Sequence, residues 1–347
     1  MRRGTTAPEG PAPSGRRPAA SDGSAPSGRR PIVAAAAALA VAGGLLTGCA
    51  AGPSQVSAAA IVGDTVIPIA SVQGWFDRVV ADRERKERAR AGGQLDDIGR
   101  RVVTEAVRHE LLTQAAEREH LRIDEERVTE LLDELGGPAK AVEQLAGTPG
   151  TDWLLYDETT IRERVRDQLI ALELARQYYD STSIKFEATQ AESRTQALDK
   201  ANKIANDPGG IGEIIQSDLG KGVQAFPDQE FTVSADPNTA AQSPLFAVPA
   251  GTIMVYPAGA QGGWWVIFIE KRDTNAPRNT SPQAVAQSTV AKPLMAEIGL
   301  RMLPPLMSDV NIKLNPRYGV WEPVSLEAAQ NDGERMVTTI SVRQPSP

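Results

Sequence analysis

The stretch Ala59-Ala60-Ile61-Val62-Gly63-Asp64-Thr65-Val66-Ile67-Pro68-Ile69 decides how the rest of the chain is read. Two short apolar runs flank Gly63-Asp64, a pair suited to a tight turn, so the segment reads as two short strands. The period then changes. Ser71 is placed to cap a helix through Val80 toward Arg90; its charged end, residues 82–90, reads as a solvated face and Gly92-Gly93 breaks it. A second helix opens at Asp96 or Asp97 and buries Val103, Val107, Leu111 and Ala115 at a spacing of four. Asp124 caps a third over Val128, Leu131, Leu132 and Leu135, stopped by Gly136-Gly137-Pro138. Residues 139–145 form a short helix, and Thr151 or Asp152 starts a long one reaching Tyr179.

From Ser183 the pattern is mixed. Residues 184–189 read as a strand, 192–204 and 211–216 as helices, and 219–244 as irregular chain rich in Gly, Pro and Ser. Residues 252–256 and 264–270 form a strand pair around a turn containing Gly259, Gly262 and Gly263. After a linker at 274–282, helical character returns through Val285, Val290, Met295, Ile298 and Met302, until Pro304-Pro305 ends or kinks it. Residues 315–324 supply one last strand, and the polar tail from Ala328 is expected to be mobile.

Composition narrows the function. The chain has 347 residues, enough for about two domains. Its net charge is −7, yet residues 1–31 hold six Arg against Glu9 and Asp22, a balance of +4, which leaves −11 for the body. An acidic body argues against a nucleic-acid binder. One Cys and two His exclude a multi-His or multi-Cys zinc site, and no intrachain disulfide can form.

Residues 1–30 are too poor in apolar side chains to order themselves. The uncharged run 32–46 is shorter than the roughly 20 residues of a membrane span and suits a signal-peptide core. It ends in Leu46-Thr47-Gly48-Cys49, which resembles the bacterial lipobox. That resemblance implies lipidation of Cys49, cleavage before it, and anchoring through acyl chains at about 0.8 kcal/mol per buried methylene. Arg29-Arg30 fits a twin-arginine signal poorly, so general secretion is expected. The location is then the extracytoplasmic face of the bacterial cell membrane.

The order of elements, with Ala60-Ile61-Val62-Gly63-Asp64, Val66-Ile67-Pro68, Val107-Arg108-His109-Glu110-Leu111-Leu112 and the stretch from Leu121 to Val128, resembles the SurA/PrsA group of extracytoplasmic folding factors. Asn315-Pro316-Arg317-Tyr318-Gly319-Val320-Trp321 resembles the returning end of such lipoproteins. The resemblance implies an α+β protein. Its mainly helical SurA-like chaperone domain spans 59–182 and is completed by a returning helix and strand at 274–327. Between them lies a small parvulin-like α+β domain at 183–273. Residues 1–48 are the leader and signal peptide, 49–58 the lipidated tether, and 328–347 the tail.

The parvulin resemblance lacks its chemistry. Residues 184–189 stand where the first parvulin strand normally carries a His. Phe246, Pro249, Gly251 and Gly263-Trp264-Trp265-Val266-Ile267 match the later half, where a second His usually stands near Trp265. His109 and His120 both lie in the helical region, no active-site Cys or Asp is identified, and Asp228 is left unassigned. No catalytic residue is therefore assigned. Losing those polar partners weakens transition-state stabilisation while leaving a surface able to hold peptide. Phe226, Phe231, Phe246, Trp264 and Trp265 are the candidate peptide-binding residues, the two tryptophans pointing to opposite faces of one strand. Met295, Met302 and Met307 admit either an adaptable binding surface or core packing. His109, one turn from Glu105, reads as a helix-flank histidine, and His120 as a helix-terminal one.

The reading that follows is a lipid-anchored chaperone for unfolded or secreted polypeptides, needing no cofactor, ATP or metal. The alternatives are an active prolyl isomerase with a diverged pocket, and an adaptor for a dedicated envelope partner.

Overall fold

The computed structural model describes residues 57–81, 83–146, 155–277 and 290–342. Cys49, the leader and the signal-peptide run lie outside the described residues. The described chain is mixed α and β.

β1 (Ala58–Val62) and β2 (Thr65–Pro68) form the expected hairpin through Gly63, which takes a φ of +60° that glycine adopts without steric cost. β1 is buried throughout because it has a neighbour on both sides: β7 (Ile312–Leu314) joins its other edge, pairing Ala60 with Leu314. The strand expected over 315–324 is thus two pieces, β7 and β8 (Val320–Glu322), separated by a turn that Asn315 caps at Arg317 N. β8 makes a small hairpin with β9 (Glu327–Ala329).

The helical layer begins with α1 (Ile69–Val79) and α2 (Arg83–Ala91), two helices where one was expected. Ser71 does not cap: Pro68 is the capping residue, and the Ile69 amide donates to Ser57 O at 2.9 Å instead. α3 (Leu95–Arg118) carries the anticipated buried stripe, with Asp96 and Asp97 in its first turn, where the helix dipole favours them. Asp124 caps α4 (Glu125–Glu134) as expected, accepting from Glu126 N at 2.9 Å. α5 (Pro138–Ala146) follows, and α6 (Ile161–Tyr178) starts later than the sequence indicates, behind Asp157, whose Oδ1 accepts from Thr159 N and Thr160 N. Burial opposes the charge on Asp157, but the Thr159 hydroxyl and Arg78 hold its carboxyl down at about 2.

The returning helix α10 (Lys292–Leu306) lies on α6, with Pro304 and Pro305 in its last turn. A Cβ on Gly299 of α10 would stand 1.8 Å from the Ala171 carbonyl oxygen of α6, so this crossing requires glycine. Met302 and Met307 are buried and Met295 packs beside the core, so the methionines are core rather than a binding surface.

The second layer is a five-stranded antiparallel sheet in the order β10-β5-β6-β3-β4. Its strands are β3 (Ser183–Ala191), β4 (Ala225–Thr232), β5 (Thr252–Pro257), β6 (Trp264–Asp273) and β10 (Thr338–Ser341). Two expectations are corrected here. Residues 219–244 are not irregular throughout, since they contain β4 and the short helix α9 (Pro237–Gln242), capped by Asp236. The tail is not free from Ala328 onward either. Thr338 pairs with Val255 at the sheet edge, and buried Glu322 accepts Met336 N at 3.0 Å and Val337 N at 2.7 Å, fixing the approach.

One sheet face is covered by α7 (Arg194–Asn206) and α8 (Ile211–Gly220), which bring Ala201, Ile204 and Ile215 onto Val255, Val266 and Phe268. On the other face, Met254, Ile267 and Ile269 pack with Ala175 of α6 and with Ile298 and Met302 of α10. Alternation with period two along β5 and β6 separates the two sets.

Candidate functional site

On the α6–α10 side, a cleft of about 750 Å³ opens between the helical layer and the sheet. Each contributor follows from local periodicity. Glu105, Arg108 and Leu112 share one face of α3, Arg164 and Asp167 one face of α6, and Glu297, Leu300 and Arg301 one face of α10. The sheet adds Tyr256 and Trp265, which are register partners on β5 and β6, while the returning chain adds Leu326, Glu327 and Met336.

The charges in the cleft differ in how they are partnered, Arg108 by carboxylates and Arg301 by a carbonyl oxygen. Arg108 donates to Glu105 Oε1 at 3.0 Å and Glu327 Oε1 at 3.1 Å, and its Nε holds the Leu326 carbonyl at 2.7 Å. It therefore ties α3 to the returning chain. Tyr156 Oη donates to Glu105 Oε2, and Arg164 lies 5.6 Å over the Tyr156 ring. Burial, then the Glu105 charge, push the Tyr156 phenol far above its usual range. Arg301 donates through Nε to Ala241 O at 2.9 Å, and burial lowers its pKa. Burial also pushes the Tyr256 phenol up to about 12. Beside these groups lies apolar surface from Leu300, Trp265 and Met336, the last 62% exposed. The lining thus mixes aliphatic and aromatic patches with charged groups, of which Arg108 is paired with carboxylates. That arrangement can hold an amphiphilic chain.

The anticipated binding residues separate. Trp265 reaches the cleft, and Phe226, 38% exposed, stacks beside it at 5.8 Å between ring centroids. Trp264 points to the opposite face, with Arg194 5.8 Å over its ring. Phe231 packs edge-on against Phe186 at 5.1 Å. Phe246 is corrected: it is 1% exposed and fills the core under β5 and β6, so it offers no surface to a ligand. Asp228 takes a φ of +48° next to Pro227 on β4 and pairs with Lys185 at 3.0 Å, which interrupts an edge strand rather than forming a pocket. His120 also has a positive φ, just past the end of α3. His109 bonds Asp167 of α6 at 2.8 Å rather than Glu105. Tyr256, Arg108, Arg164 and Arg301 were not singled out from sequence, because only the packing of distant segments brings them together.

Among the described residues no group of three His, Cys, Asp or Glu side chains is placed to hold a metal ion. No helix among them is long and apolar enough to cross a membrane. No family model matches the chain, and no curated protein matches it. Among solved structures, the chain is similar to the crystal structure of the foldase protein PrsA from Lactococcus lactis. The identity is 12%, the match covers 74% of this chain and 94% of that one, and the TM-score is 0.22. A score this low carries no argument about fold or activity.

Proposed function

We propose that the protein is a lipid-anchored, extracytoplasmic chaperone that binds unfolded or secreted polypeptides and does not catalyse prolyl isomerisation. The observation that carries this reading is the cleft between helices and sheet, with Trp265, Tyr256, Leu300 and Met336 beside charged side chains. A mixed lining of this kind suits chains of varied sequence, because it offers apolar and polar contacts side by side. The absence of His from β3 and β6 supports a binding role over isomerase chemistry. In this reading the helices of 59–182 and the returning segment 274–327 form one chaperone body with a parvulin-like insertion at 183–273. Cys49 carries the anchor.

The test is refolding of a denatured, proline-limited client, with fluorescence following the slow phase and light scattering following aggregation. Suppressed scattering with an unchanged slow phase is expected. A faster slow phase returns the isomerase reading, and no change in either signal favours the dedicated adaptor. Trp265→Ala should weaken client capture about tenfold, the usual loss for an aromatic contact at the centre of a site. Mass spectrometry of the chain from membranes tests the anchor, expecting a diacylated N-terminal residue 49.

A further inference from the structure

We propose that a second cavity, built around Arg272 near the end of β6, binds an organic carboxylate that carries a small apolar group. The cavity has a volume of about 290 Å³, and none of its lining residues belongs to the cleft described above. Pro249, Met302, Pro305 and Leu306 make its apolar walls, and Tyr178 and Thr274 complete it.

Arg272 is the reason to expect an anion. Its Nη1 donates to Phe246 O at 2.6 Å and its Nη2 lies 3.2 Å from Met302 Sδ, so both recorded partners are neutral. Among the described residues, no carboxylate pairs with it. Tyr178, which lines the same cavity, donates to Glu119 at 2.5 Å, and that carboxylate also accepts from Gln177 Nε2 at 2.9 Å. Residues 278–289, which follow in the chain, contain no Asp or Glu. Arg118 of α3 shows the contrast: it grips both oxygens of Asp309 at 2.7 and 3.1 Å. Burial pushes the Arg272 guanidinium down to about 10, the cost of a cation left without a counter-charge.

A guanidinium has five N–H donors in a planar fork, so Arg272 keeps donors for a ligand, and carboxylate is the anion whose two oxygens match that fork. The walls require the rest of the ligand to be apolar, and the volume limits it to about one side chain, at the lower end of small-molecule sites. Two sources present this chemistry: the C-terminal residue of a polypeptide ending in an aliphatic side chain, and a free small carboxylic acid.

The experiment is calorimetric titration of the full chain with N-acetyl-leucine and with N-acetyl-leucinamide, which differ only at the carboxylate. Saturable binding of the acid is expected, with the amide weaker by about tenfold or more, the size of a charge-assisted pair. Equal binding of the two, or no binding of the acid at millimolar concentration, overturns the proposal without any variant being made. Arg272→Met should abolish the preference for the acid, and Arg272→Lys should keep only part of it; a persistent preference in Arg272→Met also overturns the proposal. Acetyl-Ala-Ala-Leu distinguishes the sources: much tighter binding than N-acetyl-leucine identifies a chain terminus, and equal binding identifies a free acid. Suppression of client aggregation should be unchanged in Arg272→Met, which keeps this result separable from that of the cleft.

Discussion

The two faces of the five-stranded sheet are covered by chain from different distances. On one face α7 and α8, which connect β3 to β4, lay Ala201, Ile204 and Ile215 over the strands, and the polar contact there is equally local: Lys200 and Thr189 both reach Asp218 Oδ2 at 2.6 Å. On the other face, α6 precedes the sheet and α10 follows it, and their Ala175, Ile298 and Met302 complete the core. The helices of the first face come from within the sheet's own segment, and Ile340 of the edge strand and Val342 after it reach that face from the tail. The second needs helices from before and after the sheet's first four strands, and it is the one beside the cleft. The sheet therefore shares a core with the two helices that flank it in sequence.

The largest effect should come from breaking the distant face. Gly299→Ala drives a methyl into the Ala171 carbonyl, and neither backbone can yield without separating α6 from α10. Overpacking of this kind should cost about 3 kcal/mol. Hydrogen exchange should rise together in α6, α10 and β6, and a change confined to α10 would show that the two layers do not share a core. Asp218→Ala breaks the local face. It leaves the Lys200 ammonium with Gln190 O at 2.7 Å and Thr189 Oγ1 at 3.4 Å, and the buried Thr189 hydroxyl without its acceptor. Orphaning a buried partner can cost about 3 kcal/mol, and less is expected here because the Lys200 side chain is 18% exposed. Exchange should then rise in α7, α8 and β3 while α3 and α6 stay protected. Equal loosening of the helical layer would erase the contrast between the faces.

The same contrast explains what could be read in advance. The β1–β2 hairpin, the stripe of α3, the Asp124 cap and the β5–β6 pair were legible because each is set by residues within a few turns of one another. Alternation also placed Trp264 and Trp265 on opposite faces, though it could not say that Trp265 would face α10. Phe246 was misread because a lone aromatic in a Pro- and Gly-rich stretch has no period from which burial can be inferred, and its place under β5 and β6 depends on α9 turning beneath the sheet. The ordered tail escaped notice for a similar reason: its anchor is Glu322, a single carboxylate that accepts two backbone amides. The cleft was the least legible feature. Arg108, Arg164 and Arg301 each look like surface charges on an amphipathic helix until three helices are brought together.

The smallest effect tests whether charge helps hold α3 on α6, beside the distant face. His109 Nδ1 stands 2.8 Å from Asp167 Oδ1, and that hydrogen bond raises the imidazole above 6.5 against the opposing effect of burial. Glu163 adds to the rise and Arg166 works against it. A raised folded value means that the protonated pair contributes its full stability below pH 6.5, and that this contribution is lost as pH climbs through the folded value. The imidazole is 34% exposed, so solvent screening should hold the change under about 1 kcal/mol. Melting temperature followed from pH 6 to pH 9 should fall in the unaltered chain and lose that component of its slope in Asp167→Asn, which removes the carboxylate charge while keeping the side-chain shape. An unchanged slope in Asp167→Asn would mean that apolar packing alone holds the two helices together. The distant face would then depend on shape, as Gly299 already indicates for the α6–α10 crossing.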